Sequence, residues 1–319
     1  MKKRFNVSVV GSTGAVGKEI LALLEKRDFP VETLSLFSSQ NIARASFKDS
    51  EIVFLAAGAS VSKDLIQRLK ASNALIIDLS SAFRMEDNVP LIMPEINGHL
   101  IQKNALNSSP NCVASLMALP LFPIHKKWGI KRIVATAFQA ASGGGKKLLQ
   151  KLHDDTKSAL SKETSKDPHF YGFNLFSHTS PLLDSGYVEE EKKIMDEMRK
   201  LLNAPDLKIS ATSIRVPVER AHSISVNIQC QGKISLEEVY KLLHQTKGVR
   251  IFEDRKNNIF ASPQDVVGKE DVFCGRFRID PSEPNTLEMW IVGDQLLKGA
   301  ALNAVQIAEH LTEKKNETI

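Results

Sequence analysis

The stretch that decides the fold is Phe5–Arg27, FNVSVV-GSTGAVG-KEILALLEKR. A short, β-branched run (Phe5–Val10) leads into Gly11-Ser12-Thr13-Gly14-Ala15-Val16-Gly17. Behind the glycines, Lys18–Arg27 carries Ile20, Leu21, Leu23 and Leu24 on one side. These are a strand, a glycine turn and a helix. Working outward, Val31–Phe37, Glu51–Ala56 and Ala74–Leu79 read as further strands, with a helical pattern over Ser62–Lys70 between the last two. Strands alternating with helices imply a parallel sheet with right-handed crossovers, so the chain opens with a doubly wound α/β domain.

The pattern changes after about residue 125. Lys131–Gln139 and Ser223–Gln229 alternate apolar and polar residues, as half-buried antiparallel strands do. Asp154–Pro168 is polar and reads as a surface loop. Tyr187–Leu202 and Ser235–Thr246 read as helices, the second opened by Ser235 with Glu238 three positions on, a capping box. A final helix is expected over Leu296–Leu311, and Thr312–Ile319 reads as a solvated tail. The expected architecture is a Rossmann-type domain of residues 1–112 and 296–319 around an inserted α+β domain, 113–295. The insert carries a mixed, largely antiparallel sheet.

Composition narrows the function. The 319 residues are 42% hydrophobic and 25% charged, which excludes a disordered or collagen-like chain. A net charge of +5 and a pI near 8.9 suit an anionic small molecule, and are too weak to argue for nucleic acid. Three cysteines, 112, 230 and 274, form no disulfide framework and no CxxC metal site, so a reducing, cytoplasmic compartment is expected and no metal. No run of 18 apolar residues offers a membrane span. The basic start, Met1–Arg4, precedes only the short apolar run Val7–Val10, which reads as a strand of the mature fold rather than a signal peptide.

The glycine loop gives close backbone approach to a pyrophosphate at a helix N-terminus, the physical requirement of a dinucleotide site. At the end of the second strand an NAD site usually offers an acid to the ribose. Here stand Ser38, Ser39 and, close behind, Arg44, with no acid before Asp49. Hydroxyls and an arginine suit a 2′-phosphate, hence NADP. The second constellation, Ser108-Ser109-Pro110-Asn111-Cys112, precedes an apolar helical run. A cysteine at such a junction has its thiolate favoured by the helix dipole. A lone cysteine is more often a small core residue, a reading that fits Cys230 and Cys274 well.

Seven dispersed motifs make the chain recognisable: GSTGAVG (11–17), SSAFRM (80–85), SSPNC (108–112), QAASGGG (139–145), EEEKKIM (189–195), RVPVERAHS (215–223) and GDQLLKGAALNAVQ (293–306). In these it resembles the aspartate-β-semialdehyde dehydrogenases. The resemblance implies NADPH-dependent conversion of β-aspartyl phosphate to aspartate semialdehyde and phosphate, in lysine/diaminopimelate, threonine and methionine biosynthesis. It implies Cys112 as nucleophile, His222 as the acid/base that takes the thiol proton and later serves the thiohemiacetal oxygen, and Gln139 holding the thioacyl intermediate. Arg84, Lys193 and Asn111 match phosphate binders, Arg215 the clamp on the α-carboxylate, and Glu190 the partner of the α-ammonium. Within EEEKK this register is open by one residue. Gly11, Thr13, Gly14, Ala15, Val16 and Gly17 match the pyrophosphate loop, and Ser142, Gly143 and Gln295 the nicotinamide end. A homodimer is implied, with no nucleic-acid or membrane partner.

The chain departs from the family between the second and third strands. The usual longer segment, with its S-x-G-K type 2′-phosphate site, is reduced to Ser39–Asp49. Ser38, Ser39 and Arg44 then stand as the whole candidate 2′-phosphate site. Two other readings compete: N-acetyl-γ-glutamyl-phosphate reductase, whose acylated substrate has no ammonium for Glu190 to meet, and a catalytically silent paralogue acting as a binding module.

Overall fold

A computed structural model describes residues 3–70, 72–163 and 165–313. The chain divides into two compact units, one of residues up to Asn111 together with those from Gly299 onward, the other Cys112–Lys298.

In the first unit, β1 (Phe5–Val10), β2 (Val31–Phe37), β3 (Ile52–Leu55), β4 (Leu75–Asp78) and β5 (Leu106–Ser108) form one sheet. Its order is β2-β1-β3-β4-β5, with every pairing parallel. β3, wholly apolar, and β4, apolar up to Asp78, are buried along their whole length, as central parallel strands are. At the edge, β2 leaves Leu34 and Leu36 exposed. The crossover helices are α1 (Ala15–Lys26) and α2 (Ala59–Lys70), followed by the single turn α3 (Pro94–Asn97). α1 buries Gly17, Ile20, Leu23 and Leu24, the stripe its sequence spacing predicts.

The second unit begins with α4 (Cys112–Trp128), almost wholly apolar and buried despite Pro120 and Pro123. Its seven-stranded sheet contains β6 (Ile130–Gln139), β7 (Phe176–Ser177), β8 (Lys208–Arg215), β9 (His222–Cys230), β10 (Val249–Ile251), β13 (Val272–Ile279) and β14 (Thr286–Gly293). A separate ribbon pairs β11 (Glu253–Asp254) with β12 (Ile259–Phe260). The large sheet runs β10-β13-β14-β9-β6-β8-β7, with β6–β8 and β10–β13 parallel and the other four pairings antiparallel. The expected combination, a doubly wound parallel sheet and a mixed, largely antiparallel one, is the observed fold class. Helices α5 (Lys146–Leu160), α6 (Glu189–Leu201), α7 (Leu236–His244) and the single turn α8 (Pro263–Val266) complete this unit. The chain then returns to the first unit with α9 (Leu302–Glu313), which packs on α1, α3 and β4. A two-fold Arg27–Glu309 contact at 2.7 and 2.9 Å fastens α9 to α1.

Four local expectations need correction. The polar stretch from Asp154 is helical as far as Leu160, as the second half of α5, which packs through Leu148, Leu149 and Leu152 and is tied by Asp155 to Lys151 and the Tyr171 N–H. Ser235 is the N-cap of α7, but its side chain makes no capping hydrogen bond. The last helix starts late, since Leu297–Ala301 form a π-helical turn ahead of α9. α1 starts early, at Ala15. Residues 314–319 of the expected tail, and the first two residues of the basic start, lie outside the described residues.

Candidate active site

In the first unit the glycine loop is held against the end of β2. The Gly11 and Ser12 N–H groups both donate to Phe37 O, at 2.8 and 3.1 Å, and Ser12 Oγ reaches the same oxygen at 3.2 Å. Gly11 sits at φ +83°, where a Cβ would also lie 2.5 Å from Ala56 O. At Gly17 a Cβ would collide with the Gly11 carbonyl, so only glycine lets α1 close on its own loop. At Gly14, the N-cap of α1, such a Cβ would lie 3.2 Å from the Gly11 carbonyl oxygen. Thr13, Ala15 and Val16 of the loop are not buried. These residues fit a dinucleotide pyrophosphate.

The segment after β2 is a tight turn. Ser38 N–H donates to Asn41 Oδ1 (2.7 Å), Ser38 Oγ accepts from Gln40 N–H (3.3 Å), and Asn41 Nδ2 returns to Leu36 O (3.0 Å). Ser39 and Arg44 are exposed beyond it. Phe47 then drops into the core against Phe37, with ring centroids 5.2 Å apart, which is how so short a connection still seals the sheet. Later in this unit, buried Arg84 donates from Nε to Ser109 O (2.9 Å) and from Nη2 to Leu79 O (2.8 Å). Asn111, buried as well, directly precedes Cys112 in the chain.

Strand register assembles the second unit's chemistry. Gln139 pairs with Arg215 across β6–β8, Phe138 with Ser223 across β6–β9, and His222 with Gly293 across β9–β14. Gln139, Arg215 and His222 thus stand at the same end of adjacent strands. Cys112 opens α4, and its Sγ lies 3.5 Å from His222 Nε2. On the other side of the ring, Nδ1 accepts the Ala140 N–H at 3.0 Å. A neutral ring whose Nδ1 accepts must carry its proton on Nε2, facing the sulfur. Burial, then the charges of Arg215 and His178, hold the His222 pKa down to about 3. The ring is therefore a neutral donor toward Cys112.

His222 is positioned from several directions. Ala221 before it adopts φ +74°, an uncommon conformation for a residue with a Cβ. The flanking groups hold it there: Arg220 Nε contacts both Asp294 oxygens at 3.0 and 2.8 Å, and Ala221 N–H donates to Gln295 Oε1 at 2.7 Å. Gln295 Nε2 then donates to Ser142 Oγ (2.7 Å). A Cβ on Gly143 would stand 3.2–3.3 Å from the His222 ring. Ser142, Gly143 and Gln295 are thus gathered beside His222.

Buried Arg215 donates from Nη1 to Ala140 O (3.2 Å) and from Nη2 to His178 Nε2 (2.7 Å), while its buried Nε has no hydrogen-bond partner among the described residues. The three glutamates of EEEKK divide their work. Glu189 pairs with Lys193 (3.3 Å), Glu190 accepts from Gln139 Nε2 (3.3 Å), and Glu191 is spent on the Val188 and Ser213 N–H groups, both at 2.9 Å. Glu190 is thus the glutamate that contacts Gln139.

The second unit thus joins Cys112, Gln139, Ser142, Gly143, Glu190, Arg215, His222 and Gln295 in one contact network. Sequence reasoning missed His178, the Ala140 N–H and the Asp294 anchor. No periodicity marks them, since each acts through a contact distant in sequence. Cys230 and Cys274 are buried, and burial pushes the Cys230 thiol up to about 12 and the Cys274 thiol higher than its ordinary value. Among the described residues no group of three or more His, Cys, Asp or Glu could hold a metal, and no helix is long and apolar enough to cross a membrane.

Comparison with known proteins places this arrangement. Residues 6–45 and 40–104 match the family described as semialdehyde dehydrogenase, NAD binding domain; the two pieces meet in the shortened segment after β2. Residues 121–298 match semialdehyde dehydrogenase, dimerisation domain. By class, this is a semialdehyde dehydrogenase. The chain is 41% identical over 326 residues to the aspartate-semialdehyde dehydrogenase of Prochlorococcus marinus, covering 96% of this chain and 95% of that one. It is 36% identical over 340 residues to that of Bacillus subtilis, covering 98% of each. A crystal structure of aspartate semialdehyde dehydrogenase II from Vibrio cholerae, complexed with ASA, superposes with a TM-score of 0.92 at 31% identity, covering 98% of this chain and 99% of that one. The chain belongs to the aspartate-semialdehyde dehydrogenase family.

Proposed function

We propose that the chain catalyses NADPH-dependent reductive dephosphorylation of β-aspartyl phosphate to aspartate semialdehyde through a thioacyl intermediate on Cys112. The observation that carries the reading is the Cys112 sulfur 3.5 Å from a buried His222 whose opposite nitrogen is occupied by a backbone N–H. The Cys112 thiolate, favoured by the α4 N-terminus and by the Nε2–H donor, attacks the acyl carbon. The tetrahedral oxyanion collapses, the bond to phosphate breaks, and phosphate leaves. Bound NADPH supplies the hydride that reduces the thioacyl carbon. The resulting oxyanion collapses in turn, releasing the aldehyde and restoring the thiolate.

His222 serves these steps as a hydrogen-bond donor to the oxyanion, a neutral imidazole acting as an electrophile. The proton-accepting half of its expected role is closed to this tautomer. The thiol proton would have to go to Nδ1, whose lone pair already accepts the Ala140 N–H. Arg215 clamps the α-carboxylate, Glu190 meets the α-ammonium, Gln139 holds the thioacyl group, and Arg84, Asn111 and Lys193 bind phosphate. Residues 1–112 and 296–319 form the NADP-binding domain, through Gly11, Thr13, Gly14, Ala15, Val16, Gly17, Ser38, Ser39 and Arg44. Ser142, Gly143 and Gln295 meet the nicotinamide end. Residues 113–295 form the catalytic and dimerisation domain of a cytoplasmic homodimer. The dimerisation-domain match supports the dimer. A crystal structure of aspartate semialdehyde dehydrogenase with NADP from Candida albicans, at 19% identity a likeness of fold, accords with the choice of nucleotide.

The test is phosphate-dependent reduction of NADP⁺ by aspartate semialdehyde, followed at the nicotinamide absorbance. Cys112→Ala should lower the rate by at least about 10³-fold. N-acetyl-γ-glutamyl semialdehyde should turn over at least about 100-fold less efficiently. A wild-type protein inactive on aspartate semialdehyde overturns the reading.

A further inference from the structure

Arg215 is a buried charged group of the second unit whose hydrogen bonding has a gap. One Nη1 hydrogen goes to Ala140 O and one Nη2 hydrogen to His178 Nε2. Nε, also buried, has no hydrogen-bond partner among the described residues. A guanidinium hydrogen always donates, so the nitrogen it meets at 2.7 Å must offer a lone pair. His178 Nε2 is therefore the acceptor, and Ser180 approaches the opposite nitrogen, Nδ1, with both its Oγ (3.0 Å) and its N–H (3.1 Å). The Ser180 Oγ also accepts the Glu190 N–H at 3.1 Å, in the first turn of α6. A chain of contacts runs from the start of α6 through Ser180 and His178 to the guanidinium.

We propose that His178 is a positioning residue for substrate recognition: its Nε2 lone pair turns Arg215 so that the Nε–H edge is presented to the substrate's α-carboxylate. Two of the five guanidinium hydrogens are then fixed by protein acceptors, and a side-on pair, Nε–H with the neighbouring Nη hydrogen, remains for a bidentate carboxylate. The unsatisfied, buried Nε marks that edge on the protein side, since a buried donor left without an acceptor is costly unless a ligand completes it. This rests on the reaction proposed above, with Arg215 as the carboxylate clamp.

The charges facing His178 are those of Arg215 on β8 and of Glu190 and Lys193 on α6, with the neutral His222 of β9 also close enough to be felt. Burial, then the Arg215 charge, holds its pKa down to about 4, so the lone pair is available throughout the neutral range.

The amide variants separate the two faces of the ring. Gln can present an acceptor where Nε2 stands, and Asn can present one only where Nδ1 stands. His178→Gln should keep KM for aspartate semialdehyde within about 3-fold of wild type. His178→Asn should raise it about tenfold or more, the scale of one hydrogen bond to a charged group, with KM for NADP⁺ and kcat changed by less than about 3-fold. Calorimetric Kd values for aspartate semialdehyde should rank the same way, independently of turnover. The reverse ranking, equal KM and Kd in both variants, or a loss confined to kcat would overturn the proposal. A wild type that binds aspartate semialdehyde but does not turn it over would overturn the reaction alone.

Discussion

The two helix starts that matter here are built from opposite materials. Before α1 the work is done by backbone: Gly11 at positive φ, Gly17 without a side chain, and N–H groups folded onto Phe37 O. At α4 it is done by side chains, with Cys112 in the first helical position and a histidine ring held against its sulfur. A backbone site tolerates any side chain that stays out of the way, and recognises a phosphate by shape and dipole. A side-chain site depends on the identity and tautomer of each member. In the proposed reaction the same physical asset, a helix N-terminus, is used once for binding and once for chemistry.

This contrast can be tested by comparing the cost of side-chain changes in the two regions. The largest effect beyond the nucleophile is expected at Arg215. Arg215→Lys keeps the charge and loses the fork, so kcat/KM for aspartate semialdehyde should fall about 100-fold, with nucleotide binding unchanged. A loss under about fivefold would mean that charge alone suffices there.

Next in size is the pH dependence of stability, which should originate in the side-chain site. His222, near 3, and His178, near 4, both titrate below the unfolded histidine value of about 6.5. Between those values and about 6.5 the unfolded chain binds more protons than the folded one. Stability contributed by these rings is therefore complete above about pH 6.5 and declines as pH falls, by up to about 1.4 kcal/mol per pH unit for each ring. Tm should drop steadily between about pH 6.5 and 4.5, and His178→Gln should shallow that slope. Superimposable slopes in variant and wild type would sink the assignment.

The smallest effect belongs to the backbone region. Arg44→Ala should raise KM for NADPH by about tenfold and leave KM for NADH unchanged, because only the 2′-phosphate distinguishes them. If NADH is the better substrate of the wild type, the NADP assignment fails.

The contrast also explains what could be read in the sequence. The β1–loop–α1 unit is local: strand, glycines and apolar stripe are contiguous, and the structure follows them to within a few residues. Cys112, Gln139, Arg215 and His222 were visible because they sit inside motifs, and the strand register gathers the last three at one sheet end. α5 was only half legible, since its core-facing Leu148, Leu149 and Leu152 all lie in its first half and the turns from Asp154 onward are polar. Ser235 followed by Glu238 had the spacing of a capping box and did not make one, as spacing permits a cap without requiring it. His178 had no signal at all. It lies between a two-residue strand and a helix, and its meaning comes from an arginine 37 positions away.

The odd cysteine count has a final consequence, in redox terms. Cys230 and Cys274 are sealed in the core with their thiols held protonated, so they are poor targets for oxidants and electrophiles. Cys112 alone combines partial exposure with a donor poised on its sulfur. Oxidative inactivation of the folded protein is therefore a matter of a single atom. With no second accessible thiol among the described residues to form an internal disulfide, a sulfenic acid on Cys112 would depend on a small external thiol for its rescue.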